Sequence, residues 1–400
     1  MDMAMKASVR DVRRTNRALL VRRLVLSGAT SRSALGDSTG LSGATVTNVI
    51  SELIEEAIVQ EEGFLDSVGG RRRVVVAVNK AAAVAFGSDI SETHVTTEAF
   101  DLTLNRLARR SIAFPDRRIT PERVMEVLHE QTSDMLAELD IDRKIVLGLG
   151  LGVPGIVENS GTASESVIHA PAIGWEAVRL SGLENIVGFQ IYVDNGAKTT
   201  TQAESWYGAA RGSDHAIVVL IGAGAGAGIV TNGRLYRGFS SSAGEWGHTK
   251  ISLTGRQCIC GSYGCVETFV GASAALHDWT QSETTWAGRE TEGIAAMFAA
   301  IGAGDKEAER VMRTLIEHLG FALSNLINMY NPETIVVSGW FGDQLAEHYL
   351  DEIASASRRF SLEQPGSEAV LKRSKLGQDA VALGAATLPL DRFIEMGWPQ

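Results

Sequence analysis

Only three cysteines occur in this chain, and all fall within one short stretch, Cys258-Ile259-Cys260-Gly261-Ser262-Tyr263-Gly264-Cys265. His248 stands just upstream in Gly244-Glu245-Trp246-Gly247-His248, and Glu267 follows just downstream. Three thiolates and one imidazole make a complete tetrahedral ligand set for a structural Zn²⁺, with no position left open for water. The alternative is three incidental buried thiols. Cysteines clustered at metal spacing fit a reducing compartment better than a disulfide framework, so a cytoplasmic protein is expected. Zinc on His248, Cys258, Cys260 and Cys265 would staple a loop, which raises the question of what that loop holds.

The front of the chain carries a different signal. Residues 1–80 have a charge balance of +3 and the remainder −14, so any polyanion is expected at the front end. From Thr15 to Ser27 the apolar residues Ala18, Leu20, Val21, Leu24 and Val25 recur at helical spacing, and Gly28 ends the run. Thr30 or Ser31 is placed to cap a short second helix that includes Arg32, Ala34 and Leu35. After the turn Thr39-Gly40-Leu41, Ser42 is placed to cap a third helix burying Val46, Val49, Ile50, Leu53 and Ile54. The other face of that helix shows Thr45, Thr47, Asn48 and Ser51, short polar side chains suited to base edges. Two strands follow, around Ile58–Glu61 and Arg73–Val78, and the loop between them ends in Gly69-Gly70-Arg71-Arg72-Arg73. Helix, turn, helix and basic wing in this order predict a winged helix-turn-helix. Its expected DNA contacts are Arg32, Ser42, Thr45, Thr47, Asn48, Arg71 and Arg72. Arg13, Arg14, Arg17, Arg22 and Arg23 would add phosphate contacts or solubility.

Past Lys80 strands alternate with helices, which predicts an α/β body with its ligand site at strand ends. Strands are expected at Val84–Asp89, Val95–Phe100, Ile145–Leu151, Ile191–Asp194, Ala216–Ile221 and Thr334–Gly339. Helices are expected at Pro121–Leu139 and Thr199–Trp206, and from Ala380 onward. Gly222-Ala223-Gly224-Ala225-Gly226-Ala227-Gly228 has the composition of a phosphate-cradling loop, though packing of a tight turn explains it equally well. The N-terminus lacks an apolar core of the signal-peptide kind. The uncharged stretch Ala216 to Val230 is too short and too rich in glycine to span a bilayer.

The motif Gly244-Glu245-x-x-His248 with Cys258-x-Cys260-Gly261-x-x-Gly264-Cys265-x-Glu267 resembles the ROK family of repressors and sugar kinases. Gly152-Val153-Pro154-Gly155, Asn331-Pro332-Glu333 and Leu383-Gly384-Ala385-Ala386 are consistent with it. The resemblance implies a winged helix-turn-helix followed by a two-lobed actin-like (ribonuclease-H-like) sugar-kinase-type ATPase fold. The expected divisions are 1–80 for the DNA-binding domain, 81–195 completed by the C-terminal helix 379–400 for the small lobe, and 196–378 for the large lobe with the zinc loop and oligomer interface. The resemblance also implies sugar hydroxyls held by Asn195, Glu245, His248 and Glu267.

Three positions depart from the kinase pattern. Gly196 falls where the kinases carry the catalytic aspartate, and glycine cannot act as a general base. The phosphate turn reads Asp89-Ile90-Ser91-Glu92-Thr93, with serine in place of the family's glycine. The Gly-Gly pair near adenosine reads Ser338-Gly339-Trp340. These departures predict a sugar-responsive regulator of carbohydrate genes, repressor in type and without catalytic residues; the alternative is an active sugar kinase carrying a DNA-binding module. Lys198 would admit an acidic or phosphorylated sugar, or else is a solvated residue at a helix start. The expected partners are an inverted-repeat double-stranded operator, a sugar or sugar phosphate, and further copies of the chain in a homodimer or homotetramer. No membrane is expected as a partner.

Overall fold

The computed structural model describes residues 8–65, 73–114, 118–159, 161–282 and 284–398. Its first unit has helices at Val9–Ser27, Arg32–Thr39 and Gly43–Glu55, with wing strands at Val59–Leu65 and Arg73–Val78. Ser31 rather than Thr30 caps the second helix, accepting from the Ala34 amide at 3.2 Å, and Ser42 caps the third by accepting from Thr45 N at 3.2 Å. A short strand at Thr30–Ser31 pairs with Val75–Val76, so the wing is a three-stranded sheet.

The body consists of two sheets built on one plan. In the first, Arg106–Ala113, His94–Asp101 and Val84–Ile90 form an antiparallel meander. Val146–Val153 then joins parallel to Val84–Ile90, and Ile191–Asn195 joins parallel beyond it. In the second, Arg234–Tyr236, Ala225–Thr231 and Ala216–Ile221 make the meander, and Thr334–Ser338 and Val370–Arg373 add in parallel. This repeated order is that of the actin-like, ribonuclease-H-like fold. Each sheet backs onto its own apolar core, one containing Phe86, Leu128 and Leu149, the other Val219, Leu319 and Phe341.

Two helices lie between the sheets: Gly196–Trp206, which follows the last strand of the first sheet, and Ala380–Glu395. Bare backbone lets them approach closely. A Cβ at Gly150 would lie 1.8 Å from the Ala385 carbonyl oxygen, and one at Gly384 would lie 1.8 Å from that of Thr199. The first of these helices starts at Gly196, three residues before the position expected from the sequence, because Asn195 caps it.

The winged unit does not hang free. Leu20, Leu24 and Leu53 share one core with Ala85, Phe100, Leu147, Trp206, Leu390 and Ile394 of the body. Arg17 is buried at this junction, with its Nε donating to the Gly397 carbonyl at 2.9 Å and its guanidinium paired with Glu52 and Glu56. Arg22 pairs with Asp391 and lies over the Trp206 ring. Both arginines are therefore engaged at this junction, Arg17 buried and Arg22 partly exposed, which corrects the reading of Arg17 as a phosphate or solubility residue.

Candidate metal centre and inter-lobe site

The cysteine stretch folds into a small knuckle. Cys258 N donates to the Ser262 carbonyl at 2.8 Å, Cys260 N lies 3.3 Å from Cys258 Sγ, and Lys250 bridges in antiparallel fashion to Cys265. His248 reaches it from a single tight turn, Trp246–His248. Trp246 pins that turn, being buried with its indole N–H 3.3 Å from the Ala322 carbonyl of the long helix Lys306–Tyr330.

The ligand atoms of His248, Cys258, Cys260 and Cys265 all lie within 4.8 Å of one another. Cys260 Sγ is 3.7 Å from Cys265 Sγ, and Cys258 Sγ is 3.4 Å from His248 Nδ1. A tetrahedral zinc with ordinary bond lengths sets S···S near about 3.8 Å and S···N near about 3.5 Å, so the cluster has the dimensions of a metal site. Lys250 Nζ lies 2.7 Å from Cys265 Sγ, and this hydrogen bond holds the ammonium pKa above its usual value. A cation beside three sulfurs offsets the negative charge that they carry as thiolates.

Glu267 adjoins the cluster. Its Oε1 lies 2.8 Å from Cys258 Sγ and 3.6 Å from His248 Nδ1, so this oxygen faces the ligand set. Glu245 is part-buried, and burial raises its pKa against the opposing pull of Lys198 and then His248. Asn195 is engaged as the helix cap, its Oδ1 accepting from Ala197 N at 2.9 Å and Lys198 N at 3.3 Å. Its amide nitrogen donates to the Gly155 carbonyl at 2.6 Å, leaving one N–H unused by these bonds.

Lys198 links these groups. Its side chain is fully buried and donates to the Ser241 carbonyl; burial lowers its pKa, while Asp194 and Glu245 pull the other way. The solvated reading of Lys198 is therefore wrong. Asp194 is buried, paired with Arg237 and accepting from Asn195 N at 2.8 Å. Asn159 N adds a bond to the Ser240 carbonyl at 3.2 Å. Residues 237–240 of the second lobe are thus fastened to the first at two points, and Lys198 of the inter-lobe helix holds Ser241 beside them. Arg237 and this strap escaped the sequence reading, because nothing in Arg237-Gly238-Phe239-Ser240-Ser241 marks a contact across lobes.

The nucleotide side is differently occupied. Ser91 Oγ accepts from Thr93 N at 3.3 Å and His94 N at 3.1 Å, so the turn satisfies its own amides. The glycine run is a hairpin, with a turn at 222–224 and a strand from Ala225 to Thr231. A Cβ at Gly222 would lie 2.9 Å from Trp340 Nε1, and one at Gly224 would lie 2.7 Å from Glu267 Oε2. An indole and a carboxylate therefore flank the turn, in keeping with the packing alternative. Its later glycines serve packing, since a Cβ at Gly228 would lie 2.1 Å from Thr201 Oγ1.

A sequence profile of the ROK family matches residues 85–392. The chain belongs to the ROK family. This ROK chain is 27% identical over 393 residues to the xylose repressor of Bacillus subtilis (strain 168), covering 96% of this chain and 97% of that protein. A solved ROK family transcriptional regulator, a homolog of the E. coli MLC protein, superposes with a TM-score of 0.79 at 25% identity, covering 97% of this chain and 98% of that one. A ROK family glucokinase from Streptomyces griseus, solved with glucose and AMPPNP, gives 0.64 at 26% identity, covering 76% of this chain and 99% of that one. These two regulators thus match over nearly the whole chain, whereas the glucokinase matches about three quarters of it.

On the winged unit, Ser42, Thr47 and Asn48 are exposed and Thr45 is half-buried. Ser42 Oγ and Thr45 Oγ1 bond each other at 2.9 Å, and Thr47 Oγ1 donates to the Gly43 carbonyl at 2.8 Å. Arg32 pairs with Glu61 at 3.0 Å and, with Ser33 and Arg73, lines a cleft at the wing root. Arg71 and Arg72 lie outside the described residues. Among the described residues no helix is long and apolar enough to cross a membrane.

Proposed function

We propose that this protein is a cytoplasmic, sugar-responsive repressor of carbohydrate genes whose kinase-like body binds an effector and transfers no phosphoryl group. Residues 1–80 read DNA, residues 81–195 with 379–400 form the small lobe, and residues 196–378 form the large lobe. The observation that carries this reading is Gly196 at the head of the inter-lobe helix, where no side chain is present to take a proton from a sugar hydroxyl. Self-satisfaction of the Ser91 turn and the Trp340 ring on Gly222 support it.

His248, Cys258, Cys260 and Cys265 would hold a structural Zn²⁺, which fixes the loop that presents Glu245, His248 and Glu267 to a sugar. Asn195 supplies an amide from the opposite lobe. The buried Lys198 ammonium keeps a phosphorylated or acidic sugar within the candidate effectors, alongside neutral ones. A ligand shifts the protein only through unequal affinity for its two states, and cleft closure supplies that inequality. A homodimer or homotetramer would match an inverted-repeat operator. Arg32, Ser42, Thr45, Thr47, Asn48, Arg71 and Arg72 form its contact surface.

Two measurements test this. Genomic footprinting should give a protected inverted repeat that a sugar weakens or strengthens. A coupled assay with ATP, Mg²⁺ and a sugar panel should stay at background. Robust ADP release would overturn the reading and favour the kinase.

A further inference from the structure

The helix Gly196–Trp206 joins the two functional ends of the molecule. Its N-cap is Asn195, in the inter-lobe site, and its eleven residues span about 16 Å. It is packed on every side that matters for motion. Ala197, Lys198, Thr199, Thr200, Thr201, Ala203 and Glu204 are all buried, with Gly384 against Thr199 on one flank and Gly228 against Thr201 on the other. A close-packed helix with no slack moves as a rigid body.

At its far end the helix meets the DNA-binding unit. Helix Val9–Ser27 has no basic residue in its last turn to satisfy its terminal carbonyls. The body provides the missing donors: Tyr207 Oη donates to the Val25 carbonyl at 3.3 Å, and Arg211 donates to the Leu26 carbonyl at 2.6 Å. The turn bearing Arg211 is fixed to the inter-lobe helix by Glu204, which accepts from Ala209 N at 2.5 Å and also binds Ser374. Helix Val9–Ser27 in turn grips the end of the DNA-reading helix, through Arg17 to Glu52 and Glu56.

We infer that Tyr207 and Arg211, by capping the carbonyls of Val25 and Leu26, are the residues through which a change at Asn195 reaches the DNA-reading helix. They lie outside the residues proposed to hold sugar or DNA and act as positioning residues. This rests on the sensor reading above and names the route of its regulation. The route runs through one rigid helix and two side-chain bonds, beside the packing of Trp206 in the shared core and under Arg22, so cutting those bonds weakens the link while leaving each end intact.

The test uses the full chain and hydrogen exchange followed by mass spectrometry on peptides covering residues 20–28 and 43–56. Asn195→Ala removes the cap at the cleft end and should speed exchange in both peptides by about fivefold, the size of a lost N-cap. Asn195→Asp, which keeps a capping oxygen, should restore the wild-type rates. In a Tyr207→Phe/Arg211→Ala background, Asn195→Ala should change these rates by less than about twofold. Equal acceleration in both backgrounds, or no response of residues 20–28 to Asn195→Ala, overturns the inference. A parallel arm measures binding of D-xylose, D-glucose and N-acetyl-D-glucosamine by calorimetry. A sugar that binds should do so equally to wild type and the Tyr207→Phe/Arg211→Ala variant, but alter exchange at 20–28 only in wild type. If none of these sugars binds, and neither do the 6-phosphates of D-glucose and N-acetyl-D-glucosamine, the sensor reading falls, while the exchange result on the variants still decides the route.

Discussion

Restoring the missing carboxylate with Gly196→Asp separates the two reasons this body would be inert. The site has room: a Cβ there meets nothing closer than the Val153 carbonyl oxygen at 3.7 Å and Val381 Cγ1 at 3.8 Å. The residue is the first of its helix, where a negative side chain gains about 0.3–1 kcal/mol from the amide dipoles. Loss of glycine's backbone freedom adds about 0.5 kcal/mol. Repulsion from Asp194 is blunted because Arg237 already neutralises it. The sum is about 1 kcal/mol of added stability, worth a Tm rise of about 2 °C in a chain of this size. A general base typically supplies about 10²–10⁴-fold in rate, but only to a bound nucleotide. Here the Thr93 and His94 amides are taken by Ser91 Oγ, while Trp340 and Glu267 crowd Gly222 and Gly224. The variant should therefore fold and melt slightly higher, yet release ADP no faster than wild type in a coupled assay with sugar and Mg-ATP. Turnover about 10²-fold above wild type would refute the reasoning, because it would show an intact nucleotide site lacking only its base.

Other perturbations probe the remaining layers. Burial, then Glu98 and Asp379, push the Asp89 carboxyl up to about 7, so the folded protein holds this proton more tightly than the unfolded chain. Stability from this group is complete below about pH 4 and declines as pH rises to about 7. Asp89→Asn should therefore match wild type near pH 4 and exceed it by about 2 kcal/mol at pH 8 in urea melts, a figure reduced because a fifth of the side chain reaches solvent. An offset independent of pH would contradict this. Gly384→Ala drives a Cβ to 1.8 Å from the Thr199 carbonyl and should cost about 3 kcal/mol or more in the same melts. Arg17→Met strips the buried partner from Glu52 and Glu56 and should cost about 2–3 kcal/mol, with both carboxylates partly solvated. Elemental analysis should find one zinc per chain, and Cys258→Ser should lower it and the Tm together.

The readable parts of the sequence were those where one local rule dominates. Ser42 followed by apolar residues at positions 46, 49, 50 and 53 specifies a capped amphipathic helix, and the helix forms there. The spacing of His248 and the cysteines is a property of the chain itself, and the four side chains converge. Gly226 and Gly228 are ambiguous in sequence because glycine marks any close approach of backbone, and here the visitor is a helix. Lys198 was ambiguous because burial depends on a loop more than forty residues away that supplies the Ser241 carbonyl. The duplicated sheet order is legible only through the family resemblance, for a related reason. The two copies share pairing topology, and pairing between distant strands leaves no periodic trace in either one.

The shared core between the winged unit and the body bears on how such proteins can be re-engineered. Severing the chain near Lys80 would strip cover from Leu20, Leu24 and Leu53 on one side and Phe100, Leu390 and Ile394 on the other. Each fragment would then display an oily face to water. A chimaera that grafts a foreign reading head onto this body inherits the same mismatch unless the supporting surface travels with it. The unit of exchange between such proteins is therefore the head together with its seat, and the interchangeable piece is larger than the sequence boundary at residue 80 suggests.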